Sequence, residues 1–202
     1  MESFERIHHW LMVTARVAVW MGGSALLLCA LMVTVDVVAR KLFSVTMSGS
    51  DEITGYVFAA STTWAYAYCL LHRSNVRIDA LYNVVPKTVR AILDLIGLAL
   101  LLVYMGYLTV QGYQVFSTSL DRDSVAITTL ATPLWIPQLF WIAGLMLFVV
   151  TLIFMLAYSL AALLRGDVAR VQRIAGALSV QEEIAEDTHG MNARPGNGPG
   201  ER

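Results

Sequence analysis

Charge is what this sequence has least of. Asp, Glu, Lys and Arg make up 14% of its 202 residues, and they almost vanish from residues 17–38, 53–71, 91–116 and 134–164. Cysteine is scarce as well. Cys29 and Cys69 stand singly in separate apolar stretches, which argues against a disulfide framework and a CxxC redox site. The four histidines, His8, His9, His72 and His189, all fall outside those stretches, so none can ligate a haem from within them. Asp36 and Asp94 lie near the ends of their stretches, and neither marks a bilayer centre as the carboxylate of a proton-coupled carrier would. A net charge of −1 offers no basic surface to nucleic acid. These absences point to a chain that is not an enzyme, holds no cofactor or metal and binds no nucleic acid.

What is present is apolar. Hydrophobic residues make up 57% of the chain, with a mean hydropathy of +0.62, more than a soluble domain of this size can hide. A bilayer core needs about 20 apolar residues in a helix, and each of the four stretches is long enough. The fold expected is therefore an all-α integral membrane protein with four transmembrane helices and membrane lipid around it. Glu2 and Glu5 precede the first stretch and no small-x-small cleavage site follows it, so it reads as a retained span.

Lysine and arginine set the orientation. Arg6, Arg16, Arg73, Arg77, Lys87, Arg90, Arg165, Arg170 and Arg173 fall on one side, against Arg40, Lys41 and Arg122 on the other. Both termini are then cytoplasmic. Trp10 and Trp20, and Trp135 and Trp141, flank the starts of spans one and four. They serve either as interface anchors or, for Trp20 and Trp141, as packed aromatics.

Residues 1–165 read as one four-helix membrane domain. The connector 72–90, HRSNVRIDALYNVVPKTVR, mixes apolar and basic residues, which suits an interfacial helix ended by Pro86. Residues 166–187 place Val168, Val171, Ile174, Ala175 and Leu178 at helical spacing, the pattern of an amphipathic cytoplasmic helix. Residues 188–202 are rich in Gly and Pro and read as a disordered tail.

Two features within the spans invite a functional reading. Gly55, Ala59, Thr63 and Ala67 recur every four residues, a small-residue stripe that lets a second helix approach closely; the plainer account is that small residues are common in membrane helices. Charges of both signs also gather between spans one and two, where Arg40 precedes Asp51 and Glu52. Ser48 through Asp51 fits a capping box, and acids in a first turn complement the helix dipole. Asp36 and Arg40, four residues apart, suit a local pair. The alternative is that Arg40, Asp51 and Glu52 cluster at a surface that meets partner chains.

The segments DVVARKLF, SGSDEITGYVF, RSNVRIDALYNVVP and TPLWIPQLFW, in that order, resemble the small membrane subunit of tripartite ATP-independent periplasmic (TRAP) transporters, the DctQ-like family. The resemblance covers about residues 13–164. It implies a place for Arg40 at the end of span one, for Asp51 and Glu52 at the start of span two, for Arg77 and Asp79 in the connector, and for Thr132, Pro133, Trp135 and Pro137 at the start of span four. Asn75 stands where the family often has histidine. The resemblance further implies a non-catalytic subunit in a bacterial inner membrane, scaffolding a large membrane subunit that moves an organic acid delivered by a periplasmic binding protein. The coupling ion, Na⁺, is then expected on the large subunit. Arg40, Asp51, Glu52, Gly55, Ala59, Thr63, Ala67, Arg77, Asp79 and Trp135 become the candidate partner contacts. A self-sufficient four-span carrier or channel, and the small subunit of a tripartite tricarboxylate transporter, are the competing readings.

Overall fold

A computed structural model describes residues 2–72 and 86–165. Four helices account for nearly all of them: α1 (Glu2–Phe43), α2 (Ser50–Leu71), α3 (Lys87–Asp121) and α4 (Trp135–Leu164). Residues 73–85, which hold most of the expected interfacial helix together with Asn75, Arg77 and Asp79, lie outside the described residues, as do the amphipathic segment 166–187 and the tail 188–202.

Each helix follows from its residues. α1 is 42 residues without a proline, and at about 1.5 Å per residue it is roughly 63 Å long. It extends well past the expected span 17–38 at both ends. Arg40 and Lys41 occupy its last turn, where cations complement the negative end of the dipole, and Ser44 at φ 55° turns the chain away. Pro86 is the N-cap of α3. Pro137 falls in the first turn of α4, where a missing N–H costs nothing.

The helices stand in the order α1, α2, α4, α3, because α2 packs between α1 and α4, and α4 between α2 and α3. Burial patterns agree with that order. α1 buries Ala15, Ala18, Cys29 and Asp36, and α3 buries Ala91, Asp94, Leu98, Met105, Gly112 and Ser119. Both sets repeat at spacings of three, four, seven or eleven, which is one narrow helix face. α4 buries a broader set from Ile142 to Ala162, as an inner helix must. The core joins Ala15, Ala67, Leu98, Leu145, Leu152 and Met155 from all four helices.

The outward faces are apolar. Leu27, Leu28, Leu31 and Val35 of α1, and Leu100, Val103, Tyr104 and Tyr107 of α3, are all exposed. Apolar surface on that scale belongs in lipid or against a partner. Among the described residues, α1, α3 and α4 are long and apolar enough to cross a membrane. α2 falls short because Tyr56, Trp64, Tyr66, Tyr68 and a run of hydroxyl residues lower its hydropathy even beyond Asp51 and Glu52. Those hydroxyls are largely self-satisfied: Thr54 donates to the Ser50 carbonyl at 2.8 Å, Thr62 to Phe58 at 2.7 Å and Thr63 to Ala60 at 2.9 Å. Such bonds remove most of the cost of carrying a hydroxyl through an apolar medium.

Candidate functional site

Polar side chains collect at one end of the bundle, where residues 44–49 join α1 to α2 and residues 122–134 join α3 to α4. Asp36 is the centre of the first connection. It is 1% exposed. Arg40, one turn on, donates to Oδ2 at 2.6 Å. The backbone N–H of Met47 and the hydroxyl of Thr46, at 3.3 Å, donate to Oδ1. Ser50, at the first position of α2, adds a longer contact of 3.4 Å to Oδ2. One buried carboxylate thus holds the end of α1, the turn and the start of α2 together. The local Asp36–Arg40 pair expected from spacing is present, and it is only part of what Asp36 does.

The capping box is a correction. Gly49, not Ser48, is the N-cap of α2, and no side chain caps the helix. The reason is conformational. The residue entering α2 has φ 98°, a left-handed value that glycine adopts at little cost and serine does not. Ser48 is instead turned outward, and its hydroxyl donates to Thr129 Oγ1 at 2.5 Å.

The second connection is a short hairpin. Val125 and Pro133 form an antiparallel bridge, flanked by Ala126 N–H to Thr132 O and Leu134 N–H to Ser124 O, both at 2.9 Å. Its tip lies on the first connection. Thr129 meets Ser48, and Leu130 covers Gly49 so closely that a Cβ there would stand 2.2 Å from Leu130 Cδ1. The hydroxyls of Thr128 and Thr132 lie on the Glu52 carboxylate, to which Tyr56 also donates at 2.7 Å, although the buried Oε2 has no partner at full hydrogen-bonding geometry.

Arg40 and Glu52 take part in two separate arrangements at this end of the bundle. Among the described residues Arg40 pairs with Asp36 alone, because that acid sits one turn away on the same helix and is buried. Glu52 belongs to Tyr56 and the hairpin, and Asp51 is exposed. Trp135, the first residue of α4, is half-buried.

The small-residue stripe divides. Ala67 and Thr63 are buried, Ala59 is half-buried, and Gly55 is exposed, with no described residue of another helix within 4 Å of where its Cβ would be. The tightest helix contacts involve glycines of the neighbouring helices. A Cβ at Gly144 of α4 would stand 2.4 Å from Thr63 Oγ1, and one at Gly22 of α1 would stand 3.1 Å from Ser61 Cβ. Ser61 donates to the Gly22 carbonyl at 3.2 Å, and Trp64 Nε1 to the Phe140 carbonyl at 2.8 Å. Between these contacts an apolar groove of about 390 Å³ opens, lined by Met21, Val57, Trp64, Ile136 and Phe140 among others. Trp10 and Trp20 are 73% exposed, whereas Trp141 packs against the core and lies 3.1 Å from where a Gly112 Cβ would be.

Sequence reasoning did not single out Gly22, Gly144, Gly49 or the tip residues 128–130. A signal for Gly22 exists, since Ala15, Ala18, Gly22 and Ala25 share one face of α1. No local pattern marks the tip, whose partners lie about 80 residues away in sequence.

Long apolar helices touching through small residues, with their polar side chains gathered where two connections meet, define a helical membrane protein. The chain belongs to the DctQ family, the DctQ component of tripartite ATP-independent periplasmic transporters, whose family model matches residues 29–166. No curated protein and no solved structure matches it. The family is the small membrane component of a transporter that also has a large membrane subunit and a substrate-binding protein.

Proposed function

We propose that this chain is the non-catalytic scaffold of a secondary, ion-coupled, binding-protein-dependent transporter for organic acids. α2 is the fourth span in this reading, since it stands between α1 and α4, which are both apolar enough to cross. The Lys/Arg bias places both termini in the cytoplasm and residues 44–49 and 122–134 in the periplasm of a bacterial inner membrane. The large membrane subunit carries the substrate and the coupling Na⁺, and the periplasmic binding protein delivers the substrate. This chain supplies the fixed block against which the large subunit moves.

Family membership is the observation that carries the reading. The geometry fits it: Asp36 ties α1 to α2, and the hairpin ties α3 and α4 to both. The exposed acid Asp51 and the open position Gly55 lie on the first turns of α2, where a partner would find charge and close approach together. The test is co-purification of the tagged chain with the large subunit, followed by uptake of organic acids in cells carrying all three components. Uptake that requires this chain, with none by the chain alone in liposomes, is the result expected. Transport by the chain alone would overturn the assignment.

A further inference from the structure

We propose that the hairpin of residues 122–134 is a permanent clamp, seated on the α1–α2 connection and remaining closed throughout transport. The proposal rests on the scaffold reading and names the element that makes the scaffold rigid. Three independent features support it. First, the contact has no slack. Leu130 fills the space that a side chain at residue 49 would take, Thr129 is bonded to Ser48, and Thr128 lies on Glu52. Second, the hairpin keeps its own shape through the paired backbone bonds across residues 124–134. Third, every non-glycine residue with positive φ among those described lies in the two connections: Ser44 at 55°, Asp123 at 46° and Ala131 at 47°. Such backbone is costly and persists only where its surroundings over-determine it. A loop that opened in every cycle would lose the contacts that hold these residues in place.

The helix order gives the clamp its purpose. α1 and α3 stand at opposite ends of the row and do not pack extensively on each other. At the loop end, the α1–α2 pair and the α3–α4 pair are joined by α2–α4 packing and by the hairpin. Without the hairpin the two pairs could splay about the Thr63–Gly144 contact when pushed by a moving partner.

The test is a Ser48→Cys/Thr129→Cys pair in a background lacking Cys29 and Cys69, using the full chain in the assembled transporter. The native hydroxyl oxygens are 2.5 Å apart, so the two thiols fall within bonding reach. Copper-phenanthroline takes up the two electrons as the disulfide forms, and labelling with a polyethylene-glycol maleimide counts the remaining thiols. Loss of both mass shifts on oxidation, with uptake equal before and after, is the result expected. A bond that forms and stops uptake, with recovery on reduction, would show that the clamp must open and would overturn the proposal. Failure to form the bond in the folded chain would overturn it as well. A Leu130→Ala change added to the pair is expected to lower the cross-linking yield and speed labelling of residue 129; an unchanged yield would mean that the hairpin is not seated through Leu130. Cross-linking needs no transport, so failure of the scaffold assignment would appear separately, as normal uptake without this chain.

Discussion

Replacing Gly49 with Ala tests the loop end most sharply, because it adds one methyl group and strikes two features together. Gly49 has φ 98°, and a side chain in left-handed backbone costs about 1–2 kcal/mol. The new Cβ also falls 2.2 Å from Leu130 Cδ1 and 2.5 Å from Leu130 Cγ, so the leucine must move, and overpacking of this kind costs typically about 1–3 kcal/mol. The expected loss is the sum, about 2–5 kcal/mol. Leu130 is 42% exposed, so Leu130→Ala alone should cost only about 1 kcal/mol. In the double variant the steric part disappears and the conformational part remains, so the two losses should fall short of additivity by about 1–3 kcal/mol. The assay is the thermal unfolding midpoint of the chain in lipid nanodiscs for wild type, both single variants and the double variant. Strict additivity would place the whole cost in the backbone and none in the Leu130 contact. An unchanged midpoint for Gly49→Ala would refute both parts of the argument.

Asp36→Asn should cost about 1.5–3 kcal/mol, because a buried acceptor loses its charge-assisted bonds, and Arg40→Gln should cost less, because Met47, Thr46 and Ser50 still donate to the carboxylate; unfolding midpoints compare the two. Gly144→Ala should weaken α2–α4 packing by about 1–3 kcal/mol through contact with Thr63 and Trp64, while Gly55→Ala should stabilise the isolated chain by up to about 1 kcal/mol and Gly55→Leu should reduce co-purification with the large subunit. An Asp51→Asn/Glu52→Gln double variant should lower uptake by the assembled transporter while the chain remains inserted; full uptake would restrict both acids to roles within this chain. A single cysteine at residue 122, in a background without Cys29 and Cys69, should be labelled from the periplasmic side only, and ready labelling from the cytoplasm alone would reverse the orientation.

The helices were largely legible because apolar length and the lack of interior proline are local properties. Their ends were less so: α1 continues well beyond residues 17–38, since nothing between Glu2 and Arg16 prevents helix even where charges make a span unfavourable. The Asp36–Arg40 pair was legible for the same local reason, a separation of four residues on one helix. Its further partners were not, because Met47 and Ser50 reach Asp36 only after the chain has turned. Spacing favoured Ser48 as a cap, but it cannot reveal a left-handed backbone, and that backbone made Gly49 the cap. The stripe in α2 was visible at four-residue intervals, yet contact depends on what the neighbouring helix offers. Thr63 is buried because Gly144 faces it, and Gly55 is open because nothing among the described residues does.

The two charge arrangements also answer different physical demands. Asp36 is almost fully buried, and a buried carboxylate is tolerated only when its oxygens are well supplied with donors; Arg40, Met47, Thr46 and Ser50 supply them. That arrangement is complete within the chain, so its main consequence is the shape of the connection. Glu52 is less complete: Tyr56 donates to Oε1, the threonines of the hairpin lie on the carboxylate, and the buried Oε2 has no partner at full hydrogen-bonding geometry. Asp51, its neighbour, is exposed. An exposed pair contributes only about 0–1 kcal/mol, whereas removing one member of a desolvated pair at an interface costs about 2–5 kcal/mol. Asp51, which is exposed, can therefore matter greatly only if another chain covers it, whereas Glu52 can also act through Tyr56 and the hairpin. A large effect of the Asp51→Asn/Glu52→Gln variant on uptake, with an unchanged unfolding midpoint for the isolated chain, would place that covering surface over the first turn of α2. An equal loss in both measurements would place their effect inside the subunit, at the seat of the hairpin.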